Sequence, residues 1–245
     1  LSGRAIIVRV SDGKEMGTAV HEYRHAVMDR VLSAHKGEPL PPEFALQYPE
    51  DYIEVLKIAV PEAIRNSGVK PEDIIGVGTD FTSATVMPTD ANGWPLCQWQ
   101  EYAGRPHAYV KLWKHHGGQA EADQIIEVAR KRGENWLPRY GDTLSSEFML
   151  PKLLETFHKD REIYDRMTYF VDAVDWIVWQ LTGNYVRSAG ATGYKALYQD
   201  GKFPSRDFFA DLDPEFADAL DKLEAPVGQL GDKAGEITAE AAAWT

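Results

Sequence analysis

Two hydroxyl side chains between two apolar runs, in the stretch 73–90, are the first candidates for binding chemistry. The runs at 74–77 and 84–87 are typical of short strands, and Thr82 and Ser83 occupy the bend between them. A bend held by rigid strands is a suitable place to present hydrogen-bonding groups to a small polar ligand. The alternative is an ordinary hairpin whose hydroxyls bond their own backbone, and this stretch alone leaves both interpretations open.

A lysine behind a run of small residues is the second candidate. The run Ser-Ala-Gly-Ala-Thr-Gly-Tyr at 188–194 precedes Lys195. Small side chains let the backbone come close to a ligand, and the ammonium group of a lysine can donate hydrogen bonds to the ligand's oxygen atoms. The alternative is that Lys195 is a solvated surface residue, which is the usual environment of lysine.

The other residues of chemical interest form no recognised cofactor motif in the sequence. The pattern Gly76-x-Gly78 lacks the third glycine and the helix of a dinucleotide-binding loop. His115 and His116 are adjacent, so their side chains point in different directions, and no third ligand stands at a recognised spacing. We therefore predict no metal site, and we interpret Cys97, which has no evident base near it, as a packing residue.

Composition limits the class of protein and the kind of partner. The 245 residues, of which 44% are hydrophobic, are enough to build a compact core. A net charge of −12 without a long basic run argues against nucleic acid or an anionic membrane as a partner. The single cysteine excludes an internal disulfide and fits a reducing compartment, and no apolar run approaches the roughly 20 residues that span a bilayer. The composition therefore predicts a globular cytoplasmic protein.

The spacing of apolar residues predicts a mixed order of strands and helices. A hairpin is expected at 5–23, where Asp12-Gly13 marks the turn, followed by a helix at 49–67. Strands are expected at 5–10, 15–23, 74–80 and 84–89. This order of elements predicts an α/β fold, or an α+β fold with one mixed sheet. Later predicted elements are helices at 119–131, 143–158, 159–167 and 173–181, a strand at 169–171, a strand and loop at 185–198, and two short helices within 205–223.

Both ends of the sequence favour a fragment. The sequence opens on Leu1 and runs straight into a predicted strand. It closes at Thr245 within an Ala/Glu run that is typical of a helix and has no cap signal. We therefore expect a piece of a longer protein.

Several segments together resemble the FGGY carbohydrate kinases in the order that the family has: 1–13, 76–93, 110–116, 137–154, 175–183 and 191–198. The resemblance covers nearly the whole chain. It implies an actin-like, ribonuclease H-like α/β domain in which a mixed five-stranded sheet is flanked by helices and carries helical insertions. In that fold the strands at 5–10, 15–23, 74–80 and 84–89 would lie in one sheet, with the helix at 49–67 packed across a face of it. It also implies that residues 1–245 are the N-terminal, sugar-binding domain, truncated before Leu1 and after Thr245. One departure is Trp-Lys-His-His-Gly at 113–117, where many members have Trp-x-Asp-x-Arg.

The resemblance assigns substrate-binding residues by position. Ser83, with its neighbour Thr82, would line the sugar site. Glu147 would contact the sugar, and Lys195 would reach a ketopentose. The family's Asp-x-Gly-Thr phosphate loop would lie before this sequence and its catalytic aspartate beyond it. No catalytic or cofactor-binding residue is therefore assigned within the chain.

The activity that the resemblance implies is ATP-dependent phosphorylation of L-ribulose to L-ribulose 5-phosphate, in L-arabinose catabolism, with Mg²⁺ accompanying ATP. This chain would supply the sugar-binding half, would be inactive alone, and could form a homodimer. The alternatives are another pentulose or polyol kinase of the same family, a non-catalytic actin-like domain that binds protein, and a non-catalytic carbohydrate-binding protein. The polar set Ser83, Glu147 and Lys195 and the aromatic segment 94–113 favour a sugar ligand.

Overall fold

The computed structural model describes residues 1–244, so Thr245, the last residue of the predicted domain, lies outside the described residues. The strands are β1 (Ser2–Arg9), β2 (Lys14–Glu22), β3 (Leu46–Gln47), β4 (Val86–Thr89), β5 (Val110–Lys111), β6 (Tyr169–Asp172), β7 (Arg187–Ser188) and β8 (Val227–Gly228). The helices are α1 (Glu50–Ser67), α2 (Gln119–Arg132), α3 (Met149–Lys159), α4 (Arg161–Arg166), α5 (Ala173–Thr182), α6 (Ala189–Lys195), α7 (Arg206–Leu212), α8 (Ala219–Leu223) and α9 (Ala239–Ala242). This mixture of strands and helices confirms the α/β class. Within residues 1–244, no helix is both long and apolar enough to cross a membrane.

The hairpin of β1 and β2 forms as the sequence predicts. Its strands are antiparallel, with Ile6 opposite Thr18, and its turn contains Gly13 at φ 72°. The carboxylate of Asp12 accepts a hydrogen bond of 2.9 Å from Nε of Arg9 and so closes the turn. A positive φ is accessible to glycine without a steric penalty, which explains why Asp-Gly is a reliable hairpin signal.

The helix α1 packs against one face of this hairpin. It ends at Gly68, which adopts φ 67°, as expected for a glycine that terminates a helix. The contact is close because Gly17 of β2 has no side chain: a Cβ atom there would lie 2.8 Å from the backbone oxygen of Ala63. Ala59 and Ala63 of the helix are fully buried in this contact. Small residues on both elements therefore set the distance between helix and hairpin.

The central sheet has four strands in the order β3-β5-β4-β6, and its strand pairs are antiparallel. The hairpin is a separate sheet, so the prediction that it shares a sheet with the 84–89 segment is wrong. The predicted strand at 74–80 is also wrong, because no strand among residues 1–244 pairs with this segment. Its apolar side chains Ile75 and Val77 are 81% and 58% exposed. The expected five-stranded mixed sheet is thus replaced by a four-stranded antiparallel sheet beside a hairpin.

Helices cover both faces of the central sheet. Successive residues of a strand point to opposite faces. Val86 and Phe170 accordingly join the large core that includes α2 and α3, whereas Met87 and Val171 join a second core with α1 and α5. The strands β4 and β6 are held by helices on both sides, so the segments at their ends project from a rigid centre.

The helix α3 is shorter than the sequence predicts. It begins at Met149 rather than at 143, because the chain turns at Gly141 and Asp142, whose φ angles are 75° and 59°. The backbone then stays irregular up to Phe148. Glu147 therefore lies in the loop immediately before the helix.

The run of small residues near Lys195 is a helix rather than the predicted strand and loop. Residues Ala189–Lys195 form α6, directly after β7. Alanine is the best helix former, and each glycine costs only about 1 kcal/mol relative to alanine, so this short run can be helical when neighbours hold it. Lys195 is the last residue of this helix, and its position depends on how the helix is anchored.

Candidate functional site

The bend that the sequence singled out lies directly before β4. Ser83 is half-buried, and its hydroxyl oxygen is buried without a hydrogen-bond partner among the described residues. The hydroxyl of Thr82 is hydrogen-bonded to that of Thr85 over 2.9 Å. Ala84 has φ 58°, a left-handed conformation that residues other than glycine rarely adopt. The bend therefore presents one unpaired buried hydroxyl on a constrained backbone.

Two buried charged side chains hold the backbone of Ala84. The carboxylate of Asp172 accepts a hydrogen bond of 2.9 Å from the Ala84 N–H. The ammonium of Lys152 donates to the Ala84 carbonyl over 2.6 Å and to the Leu112 carbonyl over 2.9 Å. Asp172 stands at the end of β6 and Lys152 lies within α3, so two different elements fix the peptide groups on either side of one residue, Ala84.

Burial shifts the pKa values of Lys152 and Asp172 in the direction that favours the uncharged form of each side chain. It lowers the pKa of Lys152 to about 7 and raises the pKa of Asp172 to about 6, because the charged form of each is removed from water. The attraction between the two groups opposes both shifts. One oxygen of Asp172 is buried without a hydrogen-bond partner among residues 1–244.

Glu147 and Lys195 form an ion pair, with 2.9 Å between Oε2 of the glutamate and Nζ of the lysine. Their side chains are 25% and 15% exposed, so the lysine is not a freely solvated residue. The Lys195 ammonium also lies 6.0 Å from the centre of the Phe148 ring. The structure thus brings together two of the residues that the sequence assigned to the sugar.

The helix α3 connects this ion pair to the bend. Glu147 lies two residues before the first residue of the helix, and Lys152 lies within the helix. Burial is the main cause of the lowered pKa of Lys152; among the smaller effects, the charge of Lys195 lowers this pKa and the charge of Glu147 raises it. Ser83 makes no hydrogen bond to the ion pair; its connection runs through Ala84 and Lys152.

The helix α6, which carries Lys195, is anchored at its start by a buried arginine and aspartate. Arg187 is fully buried and donates hydrogen bonds of 2.7 Å to the carbonyls of Leu223 and Phe170. Asp175 accepts a hydrogen bond of 2.7 Å from the Ser188 N–H, and burial raises the pKa of Asp175 to about 7. These bonds tie β7 and the start of α6 to β6 and α5.

Of the two adjacent histidines, His115 belongs to a buried network of polar side chains. His115 is buried with its Nε2 2.8 Å from the carboxylate of Glu155, and its Nδ1 accepts the Ala45 N–H. Burial lowers the pKa of His115 to about 4, so the imidazole is neutral. Lys111 donates to the same carboxylate over 2.8 Å. Among the described residues, no group of three or more His, Cys, Asp or Glu side chains could hold a metal ion.

Cys97 and two cavities lie apart from the sugar-binding residues assigned from the sequence. Cys97 is buried, and burial raises the pKa of its thiol, which disfavours the nucleophilic thiolate. One cavity of about 560 Å³ lies beside Trp179 and Tyr185, and another of about 520 Å³ lies beside Phe203. None of the sequence-assigned sugar residues lines either cavity.

The chemistry available at the site is hydrogen bonding to a polyhydroxylated ligand. A serine hydroxyl, a carboxylate and an ammonium group provide both donors and acceptors. Sequence reasoning did not identify Lys152 as part of this arrangement. A signal was present, because Lys152 occupies a position within the apolar stretch MLPKLL of α3, where a buried lysine requires partners.

The fold of this chain is similar to part of several solved sugar kinases. No family model matches the chain. Among solved structures, a gluconate kinase from Lactobacillus acidophilus superposes with a TM-score of 0.71 at 12% identity, over 99% of this chain and 43% of that one. A xylulose kinase from Rhodospirillum rubrum superposes with a TM-score of 0.67 at 18% identity, over 100% of this chain and 44% of that one.

Curated relatives define the group more narrowly. The ribulokinase of Mycolicibacterium smegmatis is 54% identical over 246 residues, covering 100% of this chain and 44% of the relative. The ribulokinase of Geobacillus thermodenitrificans is 46% identical over 245 residues, covering 99% of this chain and 43% of the relative. Over its whole length the chain is therefore homologous to ribulokinases, which confirms the resemblance to the FGGY carbohydrate kinases. The chain spans less than half the length of these relatives.

Proposed function

We propose that this chain is the sugar-binding half of an ATP-dependent ribulokinase, which converts L-ribulose to L-ribulose 5-phosphate in L-arabinose catabolism. The observation that carries the proposal is the Lys195–Glu147 ion pair, joined through α3 to the bend that presents the Ser83 hydroxyl. A sugar can accept a hydrogen bond from the ammonium and donate one to the carboxylate. Homology to ribulokinases supports the choice of a pentulose over other polyols.

The residues of this chain would position the sugar rather than transfer the phosphoryl group. Phosphoryl transfer depends chiefly on positioning and on stabilising charge. Lys195 would donate to one sugar oxygen, Glu147 would accept from a hydroxyl, and Ser83 would do either, since its hydroxyl has no competing partner among the described residues.

ATP and Mg²⁺ would be bound mainly by parts of the protein outside this chain. Mg²⁺, when bound with ATP, would neutralise phosphate charge. The residues at the candidate site do not fit a triphosphate, because Glu147 and Asp172 would repel it and no glycine-rich phosphate loop accompanies them. We also propose that the protein works in the cytoplasm and forms a homodimer, which sedimentation of the full-length protein would test.

The test is a kinase assay on the full-length protein with a panel of sugars. L-ribulose, D-ribulose, D-xylulose and glycerol would each be supplied with ATP, and phosphorylated products would be identified by ³¹P and ¹³C NMR. We expect the highest kcat/KM with L-ribulose and phosphate on its 5-hydroxyl. A clear preference for another pentulose or for glycerol would identify that compound as the substrate in place of L-ribulose. Absence of phosphorylation with every sugar would overturn the kinase proposal and favour a non-catalytic sugar-binding or protein-binding domain.

A further inference from the structure

We propose that Lys152 and Asp172 are positioning residues for the sugar, because together they hold Ala84 in its left-handed conformation and thereby set the direction of the Ser83 hydroxyl. The inference rests on the proposed function and deepens it. We call this arrangement the Ala84 clamp: the Asp172 carboxylate on the Ala84 N–H and the Lys152 ammonium on the Ala84 carbonyl.

The conformation of Ala84 needs such support. A residue with a Cβ atom at φ 58° is disfavoured, and such strain persists only where surrounding structure holds it. Both polar groups of Ala84 are bonded, one to each side of the clamp, at 2.9 and 2.6 Å. Ala84 itself is 1% exposed, so water does not compete for these bonds. Loss of either partner would allow the backbone to move toward an unstrained conformation, and Ser83 would move with it.

The bonding of Lys152 differs from that of a buried lysine whose role is only to pair a charge. The nearby buried Lys111 donates to the carboxylate of Glu155, and also to the Lys152 carbonyl and the Thr156 hydroxyl. Lys152 instead donates to two backbone carbonyls, one of which belongs to Ala84. The ammonium of Lys152 therefore stabilises the backbone of Ala84, the residue that follows Ser83 and its unpaired hydroxyl. A bend that binds a ligand needs such support to stay rigid.

The position of Lys152 also explains why the clamp matters for the sugar. The same helix that carries Lys152 is preceded by Glu147, which binds Lys195. The helix α3 therefore sets the distance between the Ser83 bend and the ion pair. These are the two sets of groups that would bind the sugar. The clamp should affect the sugar and leave the nucleotide unaffected.

Two sets of variants in the full-length protein test the clamp. Lys152→Met removes the ammonium while keeping the length of the side chain. Asp172→Ala removes the acceptor for the Ala84 N–H, whereas Asp172→Asn keeps an oxygen that can accept it. Lys222→Met is the matched control, because Lys222 is also mostly buried and donates to a backbone carbonyl, that of Met167, far along the chain from the bend.

Steady-state kinetics give the first measurement. KM does not depend on the fraction of folded enzyme, so it separates positioning from stability. We expect KM for the sugar to rise about 10-fold or more in Lys152→Met and Asp172→Ala, and less in Asp172→Asn, with KM for ATP changed by less than twofold. Lys222→Met should leave both values within twofold.

Hydrogen exchange gives the second measurement, independent of activity. Mass spectrometry of a peptide covering 82–87 should show faster exchange in Lys152→Met and Asp172→Ala than in the unaltered protein and Lys222→Met. If Lys152→Met does not fold, the same two measurements on Asp172→Ala and Asp172→Asn test the inference. The inference is overturned if the unaltered enzyme is active but the clamp variants keep its sugar KM, or if they raise sugar and ATP KM equally. An unaltered protein that phosphorylates no pentulose overturns the proposed function itself.

Discussion

Lys195 is the residue whose role can be measured most simply. A hydrogen bond from a charged donor is worth about 1.5–3 kcal/mol. Removing it should lower kcat/KM for the sugar roughly 10- to 150-fold in Lys195→Ala of the full-length enzyme. If the bond strengthens in the transition state, kcat should fall as well as KM rise.

The control for Lys195 is an exposed ion pair on α2. Lys131 pairs with Glu127 four residues earlier, and both side chains are about two-thirds exposed. Exposed pairs contribute little, so Lys131→Ala should change kcat/KM by less than twofold. Equal effects of Lys195→Ala and Lys131→Ala would contradict a role for Lys195 in sugar binding.

Buried His115 makes stability depend on pH in a defined window. An unfolded histidine has a pKa of about 6.5, whereas burial lowers the pKa of His115 to about 4 in the folded protein. A depressed folded pKa means that its stabilising effect is present above about pH 6.5 and is lost as the pH falls toward 4. The variant His115→Gln removes this ionisation but keeps a donor for Glu155.

We therefore expect Tm of the unaltered protein to fall more steeply between pH 6.5 and 4.5 than Tm of His115→Gln. Calorimetry at intervals of half a pH unit would measure both slopes. Buried His107, whose pKa is also lowered chiefly by burial, contributes to the slope of both proteins. Parallel slopes would show that His115 is not a buried neutral imidazole.

The individual site residues could be predicted only in part from the sequence. Ser83, Glu147 and Lys195 were assigned by resemblance, and their contact with a sugar stays a prediction. Lys152 was not identified, because a lysine among apolar residues does not reveal which backbone oxygen it will meet. Asp172 was not identified either, because the contact of its carboxylate with Ala84 depends on the pairing of β4 with β6.

The packing of α1 on the hairpin depends on Gly17 of β2, which meets the backbone of the helix. A Cβ atom at Gly17 would lie 2.5 Å from the backbone nitrogen of Ser67 and 2.8 Å from the oxygen of Ala63, and backbone atoms cannot move aside cheaply. Gly17→Ala should therefore lower the free energy of unfolding by about 1–3 kcal/mol, as overpacking does.

Gly76→Ala is the matched change for Gly17→Ala. Among residues 1–244, no atom lies within 4 Å of the position that a Cβ on Gly76 would occupy, and the φ of Gly76 is not in the left-handed region. Gly76→Ala should change the free energy of unfolding of the protein by less than about 0.5 kcal/mol. Urea titration of both variants would measure the difference. A cost for Gly17→Ala no larger than that for Gly76→Ala would contradict the close packing of helix and hairpin.

Elements with strong local signals were predicted well, and those that depend on distant partners were not. The hairpin, α1, α2 and α5 end at glycines with positive φ or contain one in the turn, and these signals lie in the local sequence. The segment 74–80 has the composition of a strand, but a strand also needs a partner that its own sequence does not supply. The helical state of 189–195 likewise depends on the anchor at Arg187 and Asp175.

The exposed apolar face of the hairpin predicts self-association of the chain expressed alone. Ile6, Val8 and Val20 are about half exposed on the hairpin, and Ile75 and Val77 add further apolar surface. Exposed apolar patches and unpaired strand edges favour association. Sedimentation velocity at rising concentration should show oligomers, and the double variant Ile6→Thr/Val8→Thr should shift the distribution toward monomer. Val31→Thr, which alters an exposed valine outside this face, should not.

The class of fold was accessible from the sequence, but the arrangement of its sheets was not. Apolar periodicity identified most strands and helices, and the family resemblance supplied the α/β architecture. Neither indicated that the hairpin and β4 lie in separate sheets, because sheet membership is set by contacts between segments far apart in the chain. The same reasoning explains why Ser83, Glu147 and Lys195, which are spread over more than 100 residues, could be grouped only by resemblance.

The most direct test of the account is a structure of the full-length protein with L-ribulose bound. The account predicts that the sugar lies between the Ser83 bend and α6, with a sugar oxygen within about 3.2 Å of the Lys195 ammonium and the Ala84 clamp intact. A sugar bound elsewhere, with Lys195 still paired only to Glu147, would contradict the claim that this chain carries the sugar site.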